Sequence, residues 1–154
     1  MSILKDHLNN FDLEKRYSLC IVGEPTAKAR PRYTGKFVYT PVATKNYEVL
    51  VKELFMSKYG SVMLEGYVQA VIIAYFSIPK STSKKNREKM INKEILPKKK
   101  PDLDNIAKAI LDSLNKIAYI DDSQVTKLVV EKYYSENPRV EVFINEITMK
   151  GENQ

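Results

Sequence analysis

Apolar residues fall into runs along the chain, and polar, proline-containing stretches separate these runs. Tyr17–Val22 is a short apolar run that predicts a first strand, and Lys36–Thr40 predicts a shorter one. Gly66–Ile78 is rich in branched and aromatic residues, so it predicts a long and largely buried strand. Val125–Tyr134 and Arg139–Met149 alternate between apolar and polar positions on either side of the sequence SENP, which predicts a C-terminal hairpin.

Helices are predicted over two segments between these strands. Apolar residues recur at helical spacing over Pro41–Tyr59, and Gly60 is placed to end that helix. Ser81–Glu94 is polar and rich in lysine, and it predicts a second helix with Ser81 or Thr82 as its N-cap.

The most regular helical pattern follows Pro101. Its apolar residues form one stripe, which predicts that this side of the helix packs on a sheet. Asp104, Lys108 and Asp112 fall on the opposite side. Lys108 is one turn from Asp104, whereas Asp112 is two turns away, at roughly 12 Å, too far to join the same ion directly. The stripe consists of Leu103, Ile106, Ala107, Ile110, Leu111, Leu114, Ile117 and Ala118.

The predicted elements describe an α+β fold, a single domain in which helices pack against a small mixed sheet. The chain has 154 residues, of which 44% are hydrophobic and 29% are charged, so it is large enough to bury a core. No repeat or low-complexity linker divides it. We expect one domain over residues 1–154, with a flexible stretch at 1–15 and a basic insert at 80–100.

Cysteine content and hydropathy limit the compartment. Cys20 is the single cysteine, so no disulfide can form within the chain, and a reducing cytoplasm is the expected location. Because Cys20 lies in an apolar run with no activating group beside it, we expect a small buried thiol. No apolar run approaches the ~20 residues that cross a bilayer, and the start of the chain is too polar for a signal peptide. We expect no membrane association.

Positive charge is concentrated in one part of the chain. The net charge is +6, yet the stretch from Lys80 to Lys100 holds nine Lys or Arg against Glu88 and Glu94, a local net charge of +7. A solvated helix face and loop would have the same composition. The basic stretch is followed directly by an acidic one at Pro101, and this adjacency favours an interaction surface.

Two pairs of aspartates bracket the helix after Pro101. Asp102 and Asp104 lie at its start, and Asp121 and Asp122 lie just past its end. Each acid taken alone has an ordinary explanation as a helix cap or a turn residue. Together, they repel one another unless a divalent cation or a basic partner neutralises them. Beside a basic stretch that can hold a polyanion, the set indicates metal-dependent chemistry on a phosphodiester.

Other metal-binding motifs do not match this sequence. An EF-hand loop counted from Asp102 needs glycine at its sixth position and glutamate at its twelfth, where this chain has Ala107 and Ser113. Zinc is disfavoured because Cys20 and His7 are the only cysteine and histidine.

The segment PDLDNIAKAILDSLNKIAYIDDSQV, beginning at Pro101, resembles the signature of the RusA family of Holliday junction resolvases. The shared pattern is D-L-D-N, a following lysine, an aspartate eight residues beyond the second acid, and a D-D-S-Q-V close. These enzymes are magnesium-dependent endonucleases that cut four-way DNA junctions. The resemblance implies a RusA-like form of the predicted fold and a homodimer with one active site per subunit, so that two symmetric nicks resolve a junction.

The resemblance also implies roles for particular residues. Asp102, Asp104 and Asp122 correspond to the catalytic acids and Lys108 to the functionally important lysine, while Asp121 supports the third acid. We expect these four aspartates to hold Mg²⁺, with Mn²⁺ as a possible substitute. Lys108 would either orient Asp104 through an ion pair or contact the phosphate. The expected contacts to the DNA backbone are Arg30, Arg32, Lys98, Lys99 and Lys100.

Two other functions stay open at this point. One is a non-catalytic protein that binds DNA junctions and whose acids hold a structural ion. The other is a less selective nuclease that acts on flaps or forks. The loop KARPRYTGKFVYTP, beginning at Lys28, also lacks the asparagine-containing segment of the best-known family members, so junction contacts in that loop are not carried over.

Overall fold

A computed structural model describes residues 16–27, 32–33, 35–36, 38–39 and 42–147. Within this part of the chain, four strands form one mixed sheet. In spatial order they are β1 (Arg16–Val22), β6 (Arg139–Ile147), β4 (Tyr67–Ser77) and β5 (Val125–Ser135). A separate pair of short strands, β2 (Arg32–Tyr33) and β3 (Val38–Tyr39), confirms the strand predicted near residue 38.

The central position of β4 follows from its composition. Its residues from Val68 to Ile73 are buried regardless of which face of the sheet they occupy. A strand whose residues are buried along its whole length belongs in the middle of a sheet, where it is paired on both edges. β4 accordingly pairs in parallel with β5 and antiparallel with β6.

The predicted C-terminal hairpin is wrong. β5 and β6 follow one another along the chain, but each bonds to a different edge of β4, so they are not paired with each other. The connection between them passes the end of β4, where Ser77 is opposite Ser135 and Tyr75 is opposite Arg139. Alternation of apolar and polar residues predicts a strand but carries no information about its partner.

Two helices cover one face of the sheet and form the core with it. They are α1 (Val42–Tyr59) and α3 (Leu103–Leu114). α1 ends as predicted: Gly60 has φ +72° and its N–H donates to Met56 O at 2.9 Å. Tyr59 ties α1 to β1, because its hydroxyl donates to Ser18 O at 3.1 Å and accepts from Ser18 N at 2.9 Å.

The apolar stripe of α3 is confirmed in its middle and differs at both ends. Ile106 and Ile110 are fully buried, whereas Leu103 is 42% exposed. The helix stops at Leu114 rather than continuing to Ala118. Lys116 takes a left-handed conformation with φ +61°, so the chain turns out of the helix axis there.

The basic insert contains α2 (Lys84–Ile91), a helix with no buried residue. The predicted caps, Ser81 and Thr82, are wrong by one or two positions: Ser83 is the N-cap, and its side chain accepts from Asn86 N at 3.3 Å. Arg87 links the helix to the end of β5 through an ion pair with Glu136 at 3.3 Å.

The prediction of a buried Cys20 is also wrong. On β1 the inward positions belong to Leu19 and Ile21, and the intervening Cys20 is exposed on the other face. No helix among the described residues is long and apolar enough to cross a membrane.

Candidate active site

The N-terminus of α3 presents two carboxylates that have no partner in the described structure. Asp102 is the N-cap residue by its backbone, whose carbonyl accepts from Ile106 N at 3.0 Å, but its side chain makes no capping hydrogen bond. Asp104 lies in the first turn, and both side chains are exposed. A cap that leaves its carboxylate unused keeps both oxygens available to a ligand.

The second acidic pair forms a one-turn 3-10 helix, Asp122–Gln124, with Asp121 as its N-cap. Asp121 accepts from Ser123 N at 3.1 Å, and hydrogen bonds from Ser123 lower the pKa of its carboxyl group. Asp121 is therefore engaged in shaping the turn. The carboxylate of Asp122 has no hydrogen bond or ion pair to any residue that the structure describes.

Gln124 holds this acidic turn in place with all of its amide hydrogen-bonding groups. Its Oε1 accepts from Ile120 N and Asp121 N, both at 2.9 Å. Its Nε2 donates to Leu64 O at 2.8 Å and to Gly66 O at 3.0 Å, just before β4 begins. One side chain thus joins the acidic turn to the central strand. The pattern D-D-S-Q-V contained this residue, but the sequence alone indicated no role for it.

Tyr119 lies under the second acidic pair. It is fully buried, and its hydroxyl donates to Leu111 O at 2.6 Å. Burial raises the pKa of Tyr119, and the negative charges of Asp122, Asp112 and Asp121 raise it further. All three acids are therefore within electrostatic range of one hydroxyl. Asp112, which was set aside because of its distance from Asp104, is grouped by the fold with the other pair.

The structure thus shows two acidic groups at the two ends of α3. Among the described residues, no three Asp, Glu, His or Cys side chains are close enough together to hold one metal ion. Mg²⁺ is commonly held by one or two carboxylates, with waters and substrate phosphates completing its shell. The carboxylates of Asp102 and Asp104, which are exposed and have no partner among the residues that the structure describes, fit that chemistry. Their convergence with Asp122 on one ion stays a prediction.

Lys108 is exposed on α3, one turn beyond Asp104. It makes no ion pair with any carboxylate in the described part of the chain. Of the two roles considered for Lys108, an ammonium group free to meet a phosphate agrees better with this arrangement than a preformed pair with Asp104.

A shallow pocket of about 410 Å³ adjoins Asp102. One wall is the loop after β1, Pro25–Ala27, and the other is the start of α3 with Lys100 and Asn105. The loop that follows the first strand is therefore brought beside the acids, although about 75 residues separate the two segments in the chain.

A sequence profile described as endodeoxyribonuclease RusA matches residues 22–145, which include both acidic pairs and the basic insert. The chain belongs to the RusA endodeoxyribonuclease family. The uncharacterized protein YqaN of Bacillus subtilis (strain 168) is 39% identical over 134 residues, and the match covers 83% of this chain and 94% of YqaN.

Membership in the RusA family makes the protein a DNA-cutting hydrolase. The family consists of Holliday junction resolving endonucleases, so DNA binding and a place in DNA recombination follow from membership. RusA nucleases generally depend on a divalent metal. The observed mixed sheet with helices confirms the predicted α+β class.

The residues expected to contact DNA are only partly described. Arg30 lies outside the described residues, and for Arg32 the structure describes the backbone in β2 but not the side chain. Lys98, Lys99 and Lys100 are exposed immediately before the first acidic pair. In this RusA-family chain, these three lysines are therefore exposed next to the N-terminus of α3.

Proposed function

We propose that this protein is a magnesium-dependent, structure-specific endodeoxyribonuclease that resolves four-way DNA junctions by paired phosphodiester hydrolysis. The observation that carries the proposal is the start of α3, where the exposed carboxylates of Asp102 and Asp104 directly follow Lys98–Lys100. Oxygen ligands for a hard cation and cations for a phosphate backbone lie side by side there.

Asp102, Asp104 and Asp122 are the proposed metal ligands, with Asp121 in support. A divalent ion bound there would supply Lewis-acid activation of water and neutralise charge on the scissile phosphate. Asp121 shapes the turn that carries Asp122, and Lys108 stabilises the additional negative charge of the transition state on the phosphate. Lys98, Lys99 and Lys100 hold the backbone beside the cut and read no sequence.

A homodimer with one active site per subunit accounts for the paired nicks. A four-way junction is resolved only when two opposed strands are cut, and two sites related by a twofold axis match the symmetry of that substrate. In this proposal each subunit supplies a complete set of acids to one strand.

The decisive test is Asp104→Asn, measured on a synthetic four-way junction with Mg²⁺. Cleavage is expected to fall by at least about a hundredfold because a charged metal ligand is lost, while junction binding is retained. Glu53→Gln is the matched control, since Glu53 is an exposed acid on α1 and is not one of the proposed metal ligands. Cutting by Asp104→Asn at the parental rate would refute the catalytic assignment.

The same assay separates the other functions. A protein that binds junctions without cutting them in Mg²⁺ or Mn²⁺ would be a non-catalytic binder with a structural ion. Equal cleavage of a junction, a fork and a linear duplex at one salt concentration would indicate a less selective nuclease.

A further inference from the structure

Two lysines that are far apart in the sequence meet over one aromatic ring. Lys132, on β5, places its Nζ 5.3 Å from the centroid of the Phe76 ring, and Lys99 places its Nζ 5.5 Å from the same centroid. The Nζ of Lys132 also donates to Lys99 O at 2.7 Å. The separation of the two ammonium groups therefore cannot exceed the sum of the two ring distances.

This arrangement concentrates positive charge in one place. Neither ammonium group pairs with a carboxylate in the described part of the chain. Phe76 is almost fully buried, so its ring offers a low-dielectric surface next to both charges. The two ammonium groups lie within about 11 Å of each other, so they repel, and an anion bound between them would reduce that repulsion.

The position of the pair points to a particular anion. Lys99 is three residues before Asp102, so their Cα atoms are at most about 11 Å apart. Each strand of a DNA duplex carries one phosphate per roughly 3.4 Å of helix axis. A strand that passes the acids of α3 would therefore bring a phosphate only a few nucleotides away to Lys99 and Lys132.

Neighbouring lysines do not share these features. Lys93 lies 4.8 Å from the ring centroid of Tyr133, but the hydroxyl of that tyrosine donates to Glu131 at 2.6 Å, which places a carboxylate nearby. Lysine on an edge strand such as β5 also discourages unwanted strand pairing. That role needs no ring and no second lysine, and it predicts no effect on DNA binding.

We propose that Lys99 and Lys132, supported by the ring of Phe76, form a phosphate clamp that holds the DNA backbone a few nucleotides from the phosphate that is cut. The inference rests on the proposed function for its ligand, a DNA strand, and it adds Lys132 to the contact residues. Lys132 could not be identified from the sequence, because it lies 32 positions after Lys100.

Binding of a labelled four-way junction, measured by fluorescence anisotropy over a salt series in EDTA, tests the clamp without cleavage. Lys132→Met keeps the stem over Phe76 but removes the charge. Affinity should fall roughly three- to tenfold, and the slope of log K against log salt should decrease in magnitude by about 0.9 for one lost phosphate contact. Lys132→Arg should retain both values, as should Lys52→Met, whose lysine is exposed on α1.

Parental affinity and salt slope in Lys132→Met would overturn the clamp. Equal losses in the Met and Arg variants, with equally lowered unfolding temperatures, would also overturn it, because Lys132 would then act only through its bond to Lys99. The two proposals fail separately. A protein that does not cut junctions but binds them with a Lys132-dependent salt slope keeps the clamp and loses the proposed function. If the parental protein cuts junctions and Lys132→Met binds them with parental affinity and salt slope, the proposed function is kept and the clamp is lost.

Discussion

Asp121 and Asp122 are adjacent and chemically identical, yet their surroundings separate their tasks. Asp121 uses its carboxylate to cap the turn that it begins, while Asp122 has no partner among the described residues. Gln124 supplies the rigidity of this turn, because it satisfies two N–H groups of the turn and two carbonyls next to β4. Groups that orient a metal ligand commonly affect activity nearly as much as the ligand itself.

Gln124→Met tests this role, since methionine matches the length of glutamine but forms none of its strong hydrogen bonds. Cleavage of a four-way junction should fall by roughly 10- to 100-fold, and the Mg²⁺ concentration for half-maximal rate should rise, because the turn is no longer held. Thr126→Ala, an exposed position on β5, is the control. A slower rate with an unchanged Mg²⁺ requirement would contradict a role in positioning the acids.

At the scale of elements, α3 contributes residues both to the hydrophobic core and to the candidate active site. Its buried residues fix the helix between α1 and the sheet, and this places Asp102, Asp104 and Lys108 at its exposed side. The amphipathic pattern predicted which side would be buried, but Leu103, the first residue of the helix, is exposed.

Two side-chain truncations in α3 compare the contributions of a buried and an exposed position to the free energy of unfolding. Ile106 is 0% exposed and Leu103 is 42% exposed. Ile106→Ala should lower the free energy of unfolding by about 2–5 kcal/mol, because it leaves a cavity in the core. Leu103→Ala should cost less than about 1 kcal/mol. Urea denaturation measures both changes, and equal losses would mean that Leu103 is covered in solution.

α2 is held differently, because it has no buried residue and depends on its cap and its ion pair with β5. Ser83→Ala should lower the local stability of the helix by about 1 kcal/mol, which corresponds to roughly fivefold faster amide exchange over Arg87–Ile91. Hydrogen exchange measured by mass spectrometry detects this change. Thr82→Ala should leave amide exchange unaltered. Faster exchange in Thr82→Ala than in Ser83→Ala would mean that Thr82 is the N-cap, as predicted from the sequence.

At the scale of the whole molecule, the proposed paired cleavage depends on the distribution of charge and on the symmetry of a homodimer. Residues 80–100, which lie between β4 and α3, carry a net charge of +7, whereas the rest of the chain sums to −1. An enzyme that cuts two opposed strands of a junction needs two such surfaces.

The proposed homodimer can be tested first by its mass in solution and then by its pattern of cleavage. Sedimentation at micromolar concentration should give twice the chain mass of 17.7 kDa. Cruciform plasmid cleavage should then yield linear products with few singly nicked circles, because both cuts occur within the lifetime of one complex. A mass of one chain under these conditions would contradict the paired-nick mechanism.

Much of the fold, and the residues of the candidate site, could be identified from local sequence patterns. Periodicity placed β1, α1, β4 and α3 close to their observed ranges, because burial of one face or of both leaves a pattern within the element itself. The acids and the lysines before them were identified from spacing and from their likeness to the RusA signature. The failures at Cys20, at the cap of α2 and at the end of α3 each involved one or a few residues, for which local signals are weak.

By itself the sequence determined the kinds of element, the side of α3 that is buried and the types of chemical group near residues 98–122. Only the tertiary structure decided which groups meet. It inserted β4 between β5 and β6, placed the amide of Gln124 between the acidic turn and β4, and brought Lys132 to Lys99. The physical reason is range: periodicity and capping act within a few residues, whereas strand partners and side-chain contacts depend on how the whole core packs.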